Sequence, residues 1–373
     1  MKISIITVLN TINYGSVLQT FATQKYLESL GMEVEFVDYI REDQQFTYMI
    51  KKIVFDKKTN IKKWLKKPIR DIMDIISVFQ ANKLFRSFLT QNIHLTAKQY
   101  TSLQELKKDV PCADIYATGS DQMWNSGWNQ GIEKSFFLEY VPNDKKRIAF
   151  STSIGKVSWD QKEADIIVPL IKKYDYITLR EKSAVELLGR YGIESHLVLD
   201  PTLLFNRSQW IDYLPPKQIH TRYLLVYQLH LKHDQADFMD AVNTVATRKG
   251  LQIKRISYSY SDHNIGKKIV LPDVFTFLRL IYDAEFIITD SFHGMAFSIN
   301  FNKQFAVVYP DQYSTRMDSL LSLLGLKNRR YICNNSEIIE KRIDYTYVNQ
   351  ILDSKRKEIE YSFKKYFHSL DKI

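Results

Sequence analysis

The sequence predicts an α/β protein of two parallel-sheet domains facing each other across a cleft, with a basic helical insertion in the first domain. Three observations carry that prediction. The chain has 373 residues, more than one ordinary hydrophobic core accommodates. Short β-branched runs alternate with helical runs in both halves, as in strand–helix–strand units. Near Tyr174–Arg180 the alternation begins again. The expected division is residues 1–175 for the first domain, 176–350 for the second and 351–373 for a C-terminal helix across the junction.

The elements follow in order. Ile3 to Leu9 reads as a strand, Asn10 to Ser16 as a polar loop and Val17 to Leu30 as an amphipathic helix stopped by Gly31. Glu33 to Tyr39 is the next strand. Residues from about 44 to 104 read as helical, basic and without strands, which marks the insertion. Strands resume at Ala113–Thr118 and Lys146–Ser151. In the second half, strands are expected up to Arg180, at Ser195–Leu199, Tyr223–Gln228, Leu251–Ser257, Glu285–Thr289 and Gln304–Tyr309, with helices between them. The last helix, Asp353 to Leu370, carries Ile359, Phe363, Tyr366, Phe367 and Leu370 on one side.

Composition narrows the class. With 13% aromatics and only 12 glycines and 9 prolines, the chain is too apolar and too varied for a disordered or low-complexity protein. Its two cysteines, Cys112 and Cys333, supply neither a disulfide framework nor a four-ligand zinc site, so a reducing cytosol is the simpler compartment. The N-terminal apolar run is short, lacks a small-residue cleavage site and reads as a first strand. No stretch approaches the ~20 apolar residues of a membrane-spanning helix. The net charge of +10 is concentrated between Lys51 and Arg70, where lysines alternate with Ile53, Phe55, Trp64 and Leu65. Such a segment suits the anionic inner face of a membrane, or is a solvated helical hairpin. Nucleic acid is not an expected partner, because no nucleic-acid module accompanies the charge.

Three loops carry the candidate chemistry. Asp290-Ser291-Phe292-His293-Gly294 follows a buried strand and opens a helix. Ligands bind at carboxyl ends of strands in open α/β sheets, and a helix start favours an anion. The alternative is a strand-to-helix turn with a structural histidine. Asn13-Tyr14-Gly15-Ser16, with Gln19 one turn on, closes the first strand-to-helix loop, but no GxGxxG dinucleotide fingerprint is present. Gly119-Ser120-Asp121-Gln122-Met123-Trp124-Asn125 joins hydrogen-bonding groups to an indole, a combination suited to a sugar ring; an Asp helix cap is the plainer reading. His230 and His233 lack companions for a metal site, no Gly-x-Ser-x-Gly elbow is present, and Asp200-Pro201 reads as a rigid turn.

As a set, these segments resemble the polysaccharide pyruvyl transferase family. The similarity rests on Asn13–Gln19, Gly119–Asn125, Leu179-Arg180-Glu181, Leu199–Leu204, Asp290–Gly294 and Ser314-Thr315-Arg316 with the leucine-rich stretch after it. The resemblance implies a GT-B-like pair of Rossmann-type domains. It also implies transfer of a pyruvyl group from phosphoenolpyruvate, as co-substrate without a further cofactor or metal, to a glycan acceptor as a ketal. The acceptor class is a cell-surface polysaccharide or its lipid-linked precursor. On this resemblance His293 is the acid/base group, and Arg180, Ser291, Gly294 and Arg316 face the donor. Asn13, Tyr14, Gly15, Ser16, Gln19, Gly119, Ser120, Asp121, Gln122 and Trp124 face the acceptor. One departure stands out: the better-described members of the family carry an arginine two residues before the histidine, where this chain has Ser291. Arg316 or the backbone at Gly294 would supply the missing positive charge. A glycosyltransferase of the same build, using a nucleotide sugar, is the alternative enzyme, and a sugar-binding partner without chemistry the non-enzymatic one.

Overall fold

In a computed structural model, which describes residues 1–373 apart from 46, 49–66, 231–235, 263–264, 311–313, 333–336 and 371–373, the chain forms two all-parallel sheets. The first is built from β1 (Lys2–Ile6), α1 (Tyr14–Ser29), β2 (Glu33–Tyr39), α2 (Lys67–Asn92), β3 (Leu95–Tyr100), α3 (Leu103–Lys108), β4 (Ile115–Thr118), β5 (Lys146–Thr152), α4 (Gln161–Ile171), β6 (Tyr176–Leu179), α5 (Lys182–Gly189) and β7 (His196–Leu197). Two short helices, α6 (Pro201–Leu204) and α7 (Arg207–Ile211), lead to the second unit. There β8 (Tyr223–Tyr227), α8 (Ala236–Lys249), β9 (Gln252–Ser257), β10 (Lys267–Val270), α9 (Val274–Asp283), β11 (Phe286–Thr289), α10 (Phe292–Asn300), β12 (Gln304–Val307) and α11 (Thr315–Leu323) precede α12 (Glu337–Glu340) and α13 (Tyr345–Leu370). The architecture is a two-domain α/β fold of GT-B type.

The strand orders are β3-β2-β1-β4-β5-β6-β7 and β10-β9-β8-β11-β12. Ile3 pairs with both Val34 and Ile115, and Phe286 with both Leu224 and Gln304. Central parallel strands are covered on both faces, hence their near-continuous apolar sequences: Ile3, Ile5 and Ile6 are buried, as is all of Tyr223–Tyr227. In each sheet the order reverses beside the first strand, between β1 and β4 and between β8 and β11. The loops leaving these strands open the crevice in which doubly wound sheets hold ligands. They contain Asn13, Asp121, His230 and Asp290–His293.

Two expectations are corrected. The region 44–104 is not strand-free: Leu95–Tyr100 forms β3, paired in parallel with β2. Its exposed Ala97, Lys98 and Gln99 disguise a sheet-edge strand. The division at 175/176 also falls too early, because β6 pairs with β5 and β7 with β6. Arg180 therefore emerges from the first sheet and does not open the second domain. The basic stretch 51–66 lies outside the described residues, and its expected membrane contact with it.

Helix α1 is buried almost all round, not on one face only. It is wedged between its own sheet and α6, α9 and α10. Its polar positions survive burial because Thr20 and Thr23 donate to the carbonyls of Ser16 and Gln19. Aromatic contacts continue across the junction: Tyr14 stacks on Phe277 at 4.3 Å, and Phe21 and Phe88 both meet Phe275. Each such pair adds about 0.5–1.5 kcal/mol beyond burial, so apolar packing holds the domains together around the polar cleft. From α2, Ser77 accepts from the Tyr260 amide and Asp74 from the Ser259 hydroxyl. Helix α13 starts on the second domain, where the Tyr345 hydroxyl donates to the Lys303 carbonyl, and ends on the first, where Phe363 packs on Phe150 and Tyr176.

Candidate active site

Strand β11 delivers Asp290 and His293 to the cleft. Asp290 accepts from the Leu229 and His230 amides at 2.6 and 2.9 Å, tying together the two switch-point loops of the second domain. Ser291 caps α10 by accepting from the Gly294 amide, and its own amide donates to Thr289. Gly294 is required by space, since a Cβ there would lie 2.5 Å from Thr289 Oγ1. These two residues therefore shape the turn; neither presents a side chain that replaces an arginine.

The turn places the His293 imidazole, only 5% exposed, against the first domain. A Cβ on Gly15 would sit 2.0 Å from Nδ1, so only glycine admits the ring. On its other side Nε2 is 3.8 Å from Asp200 Oδ2 and has no hydrogen-bond partner among the described residues. Asp200, read from sequence as part of a rigid turn, is thus a site residue. It also caps α6, accepting from the Thr202 amide and hydroxyl, and it pairs with Arg180 Nη1.

Arg180 leaves β6 with its side chain fully enclosed. Besides Asp200, it donates to Ser120 Oγ and to Asp121 Oδ1, each at 3.1 Å. Burial alone would lower its affinity for a proton; Asp200 and Asp121 outweigh that and hold it firmly cationic. The same balance works on Asp200. Burial raises its carboxyl, but Arg180 and then His293 pull it well below the usual carboxylate range.

Arg316 reaches the cleft from the first turn of α11. Among the described residues it forms one ion pair, with Asp121 Oδ1 at 3.6 Å, and its buried Nε has no hydrogen-bond partner. Burial and the neighbouring Arg180 push it down to about 10, the mark of a guanidinium short of negative charge. Phe292 lies between these cations, its ring centroid 5.2 Å from the Arg180 and 5.3 Å from the Arg316 guanidinium carbon. Glu181, next to Arg180, accepts from Ser153 Oγ and from the Ile154 and Gly155 amides, fixing the loop after β5. Asp200, Glu181 and Phe292 all stood in the segments that carry the resemblance, but their burial and pairing were not written in the sequence.

The residues expected on the acceptor side separate. Asp121 joins the arginines, and Ser16 donates to its Oδ2 at 2.8 Å. Ser120 is buried against Arg180. Asn13 remains partly exposed while capping α1 through the Gly15 amide. The others are committed to the fold. Trp124 is fully buried, stacked on Phe137 with its indole N–H on the Phe136 carbonyl, and offers no platform to a sugar. The Tyr14 hydroxyl donates to the Pro272 carbonyl across the junction. Gln19 donates to Thr7 and Thr20, Gln122 accepts from Asn125, and Gly119 backs onto Thr7. Sequence placed these groups in two loops but did not show the face each takes.

A cavity of about 340 Å³ reaches the back of the cluster at Arg180, Asp200 and Phe292. A wider groove of about 930 Å³ runs between α5 and α11, past Lys182, Tyr309, Thr315 and Arg330. Among the described residues, no helix is long and apolar enough to cross a membrane.

The family model described as polysaccharide pyruvyl transferase matches residues 13–312. No curated protein matches the chain. Among solved structures, the fold is similar to MnaA of S. aureus, solved with UDP, at TM-score 0.54 and 13% identity over 99% of this chain and 97% of that one. It is also similar to the UDP-GlcNAc 2-epimerase of Methanocaldococcus jannaschii, at TM-score 0.50 and 13% identity over 95% and 94% of the two chains.

Proposed function

The chain belongs to the polysaccharide pyruvyl transferase family, and on that basis we propose that it transfers the pyruvyl group of phosphoenolpyruvate to a hydroxyl pair of a cell-surface glycan or its lipid-linked precursor. The observation that carries the reading is the placing of two buried guanidiniums, one from each domain, beside a buried imidazole. Phosphoenolpyruvate bears a carboxylate and a phosphate, and planar guanidiniums pair with both. Arg316 supports the reading most directly, because it is under-paired and stands in for the arginine that Ser291 replaces. Asn13, partly exposed at the start of α1, marks the acceptor's approach. The basic stretch 51–66, continuing to Arg70, is where an anionic membrane face would be met.

The chemistry follows from the donor. A proton adds to the enol methylene carbon, and a sugar hydroxyl attacks the cationic carbon so formed. The second hydroxyl then displaces phosphate and closes the ketal. One of the two hydroxyl protons is balanced by the proton on the new methyl group, and the other leaves with phosphate. His293 serves as the acid/base group for these transfers. The Asp200 carboxylate stands 3.8 Å from Nε2, on the side of the ring away from Gly15. The two arginines neutralise the charge gathering on the departing phosphate.

Thermal-shift measurements test the donor assignment. Phosphoenolpyruvate should raise the melting temperature of the wild type and have a much smaller effect on Arg316→Ala. Stabilisation by nucleotide sugars but not by phosphoenolpyruvate would move the chain to glycosyl transfer.

A further inference from the structure

The cluster contains a carboxylate where the donor's anion is needed. Asp121 Oδ1 is 3.1 Å from Arg180 Nη2 and 3.6 Å from Arg316 Nη1, so one oxygen serves a cation from each domain. The same oxygen accepts the amide of Gln122 at 2.9 Å, and Oδ2 accepts the Ser16 hydroxyl. The backbone is bent to allow this: Asp121 has φ +83°, a left-handed conformation unusual for a residue with a Cβ. Yet the carboxylate does not satisfy the cations it bridges. Among the described residues, the buried Nε atoms of Arg180 and Arg316 find no hydrogen-bond partner. The contact to Arg316 is a long one for a side chain 9% exposed. Arg180 has a closer second partner in Asp200, so losing Asp121 leaves it paired.

We propose that Asp121 is a displaceable internal anion, whose carboxylate competes with the donor's carboxylate or phosphate for Arg180 Nη2 and Arg316 Nη1. Donor binding and release of Asp121 are then one exchange. Because Asp121 belongs to the first domain and Arg316 to the second, the exchange also replaces a bridge between domains made by the protein with one made through the donor. The inference rests on the reading of this cleft as a phosphoenolpyruvate site, but the exchange itself is a property of any small dianion.

Calorimetric titration of the full chain with phosphoenolpyruvate, and separately with inorganic phosphate, tests it. Asp121→Asn keeps the shape and removes the competing charge. Its Kd for both anions should fall about tenfold, and the gain should vanish in Asp121→Asn/Arg316→Ala. Affinity that is unchanged or weaker in Asp121→Asn overturns the proposal. Tighter phosphate binding with no preference for phosphoenolpyruvate in either protein upholds the exchange and removes the donor assignment. Equal phosphoenolpyruvate affinity in wild type and variant does the reverse. A second measurement needs no substitution. In the wild type, saturating phosphate should speed hydrogen exchange at the Gln122 amide, whose acceptor is withdrawn, while slowing it at the start of α11. Protection of Gln122, or no change there, overturns the exchange.

Discussion

The His293 imidazole packs so close to Gly15 that a single methyl group between them would overlap Nδ1. Gly15 begins the first helix of one domain and His293 the helix after β11 in the other. The candidate proton-transfer group is therefore positioned by the opposing domain as much as by its own strand. Gly15→Ala should displace the ring, and a misplacement of about 1 Å costs about 100-fold in turnover. Phosphate release from phosphoenolpyruvate, measured with acceptor present, should fall by that order. Donor-induced thermal stabilisation should persist.

His293→Gln keeps a polar side chain of comparable reach but cannot cycle a proton. Acceptor-dependent phosphate release should fall by about 10²- to 10⁴-fold, with phosphoenolpyruvate affinity within a few-fold of wild type. Full turnover in this variant would remove His293 from the chemistry.

The two arginines should respond differently. Arg180→Ala strands Asp200 and Asp121 in the interior, and breaking such a buried pair costs about 3–5 kcal/mol. Arg316→Ala removes a cation that burial already disfavours, so denaturant unfolding should change by less than about 1 kcal/mol. Its donor affinity should nonetheless drop about 10- to 100-fold. Equal stability losses in the two variants would contradict the charge distribution of the cluster.

Asp200 gives a pH signature. Burial raises its carboxyl, and Arg180 and His293 more than reverse this, holding it well below its ordinary value near 3.8. A carboxyl depressed on folding adds stability above its unfolded pKa, and the contribution is lost as pH falls toward the folded value. Asp200→Asn should therefore be less stable than wild type at neutral pH, by about 3 kcal/mol. Chemical denaturation as a function of pH should show the gap narrowing only below about pH 4.

Trp124 tests the reassigned loop. As a core residue stacked on Phe137, its replacement by Ala should cost about 3–5 kcal/mol of stability. In the surviving folded protein the acceptor KM should stay near that of wild type. A selective rise in acceptor KM with stability intact would restore the indole to the sugar site.

Local pattern was enough for much of this. Alternating apolar periods predict two parallel-sheet domains because strands covered on both faces must be apolar throughout, as Tyr223–Tyr227 is. His293 stood out by its place at a strand end, and Arg180 and Arg316 became candidates through the family resemblance; the structure brings Arg180 and Arg316 to one carboxylate, Asp121, and His293 to Asp200 beside them. The edge strand Leu95–Tyr100 escaped notice because exposure erased its apolar period, and the first domain ran past 175 because pairing partners are not written in a strand's own sequence.

What sequence alone determined was the fold class and the kind of chemistry; the tertiary structure decided which polar groups are available to it. Burial and pairing depend on the surface a residue meets. Trp124 meets Phe137 and becomes core, and Tyr14 spends its hydroxyl on Pro272. Asp200, seemingly a turn, meets Arg180 and His293 and becomes part of the site. Only the approach of the two domains brings Gly15 under His293 and Asp121 between two arginines. That approach is set by packing between segments far apart in the chain, which no local period records.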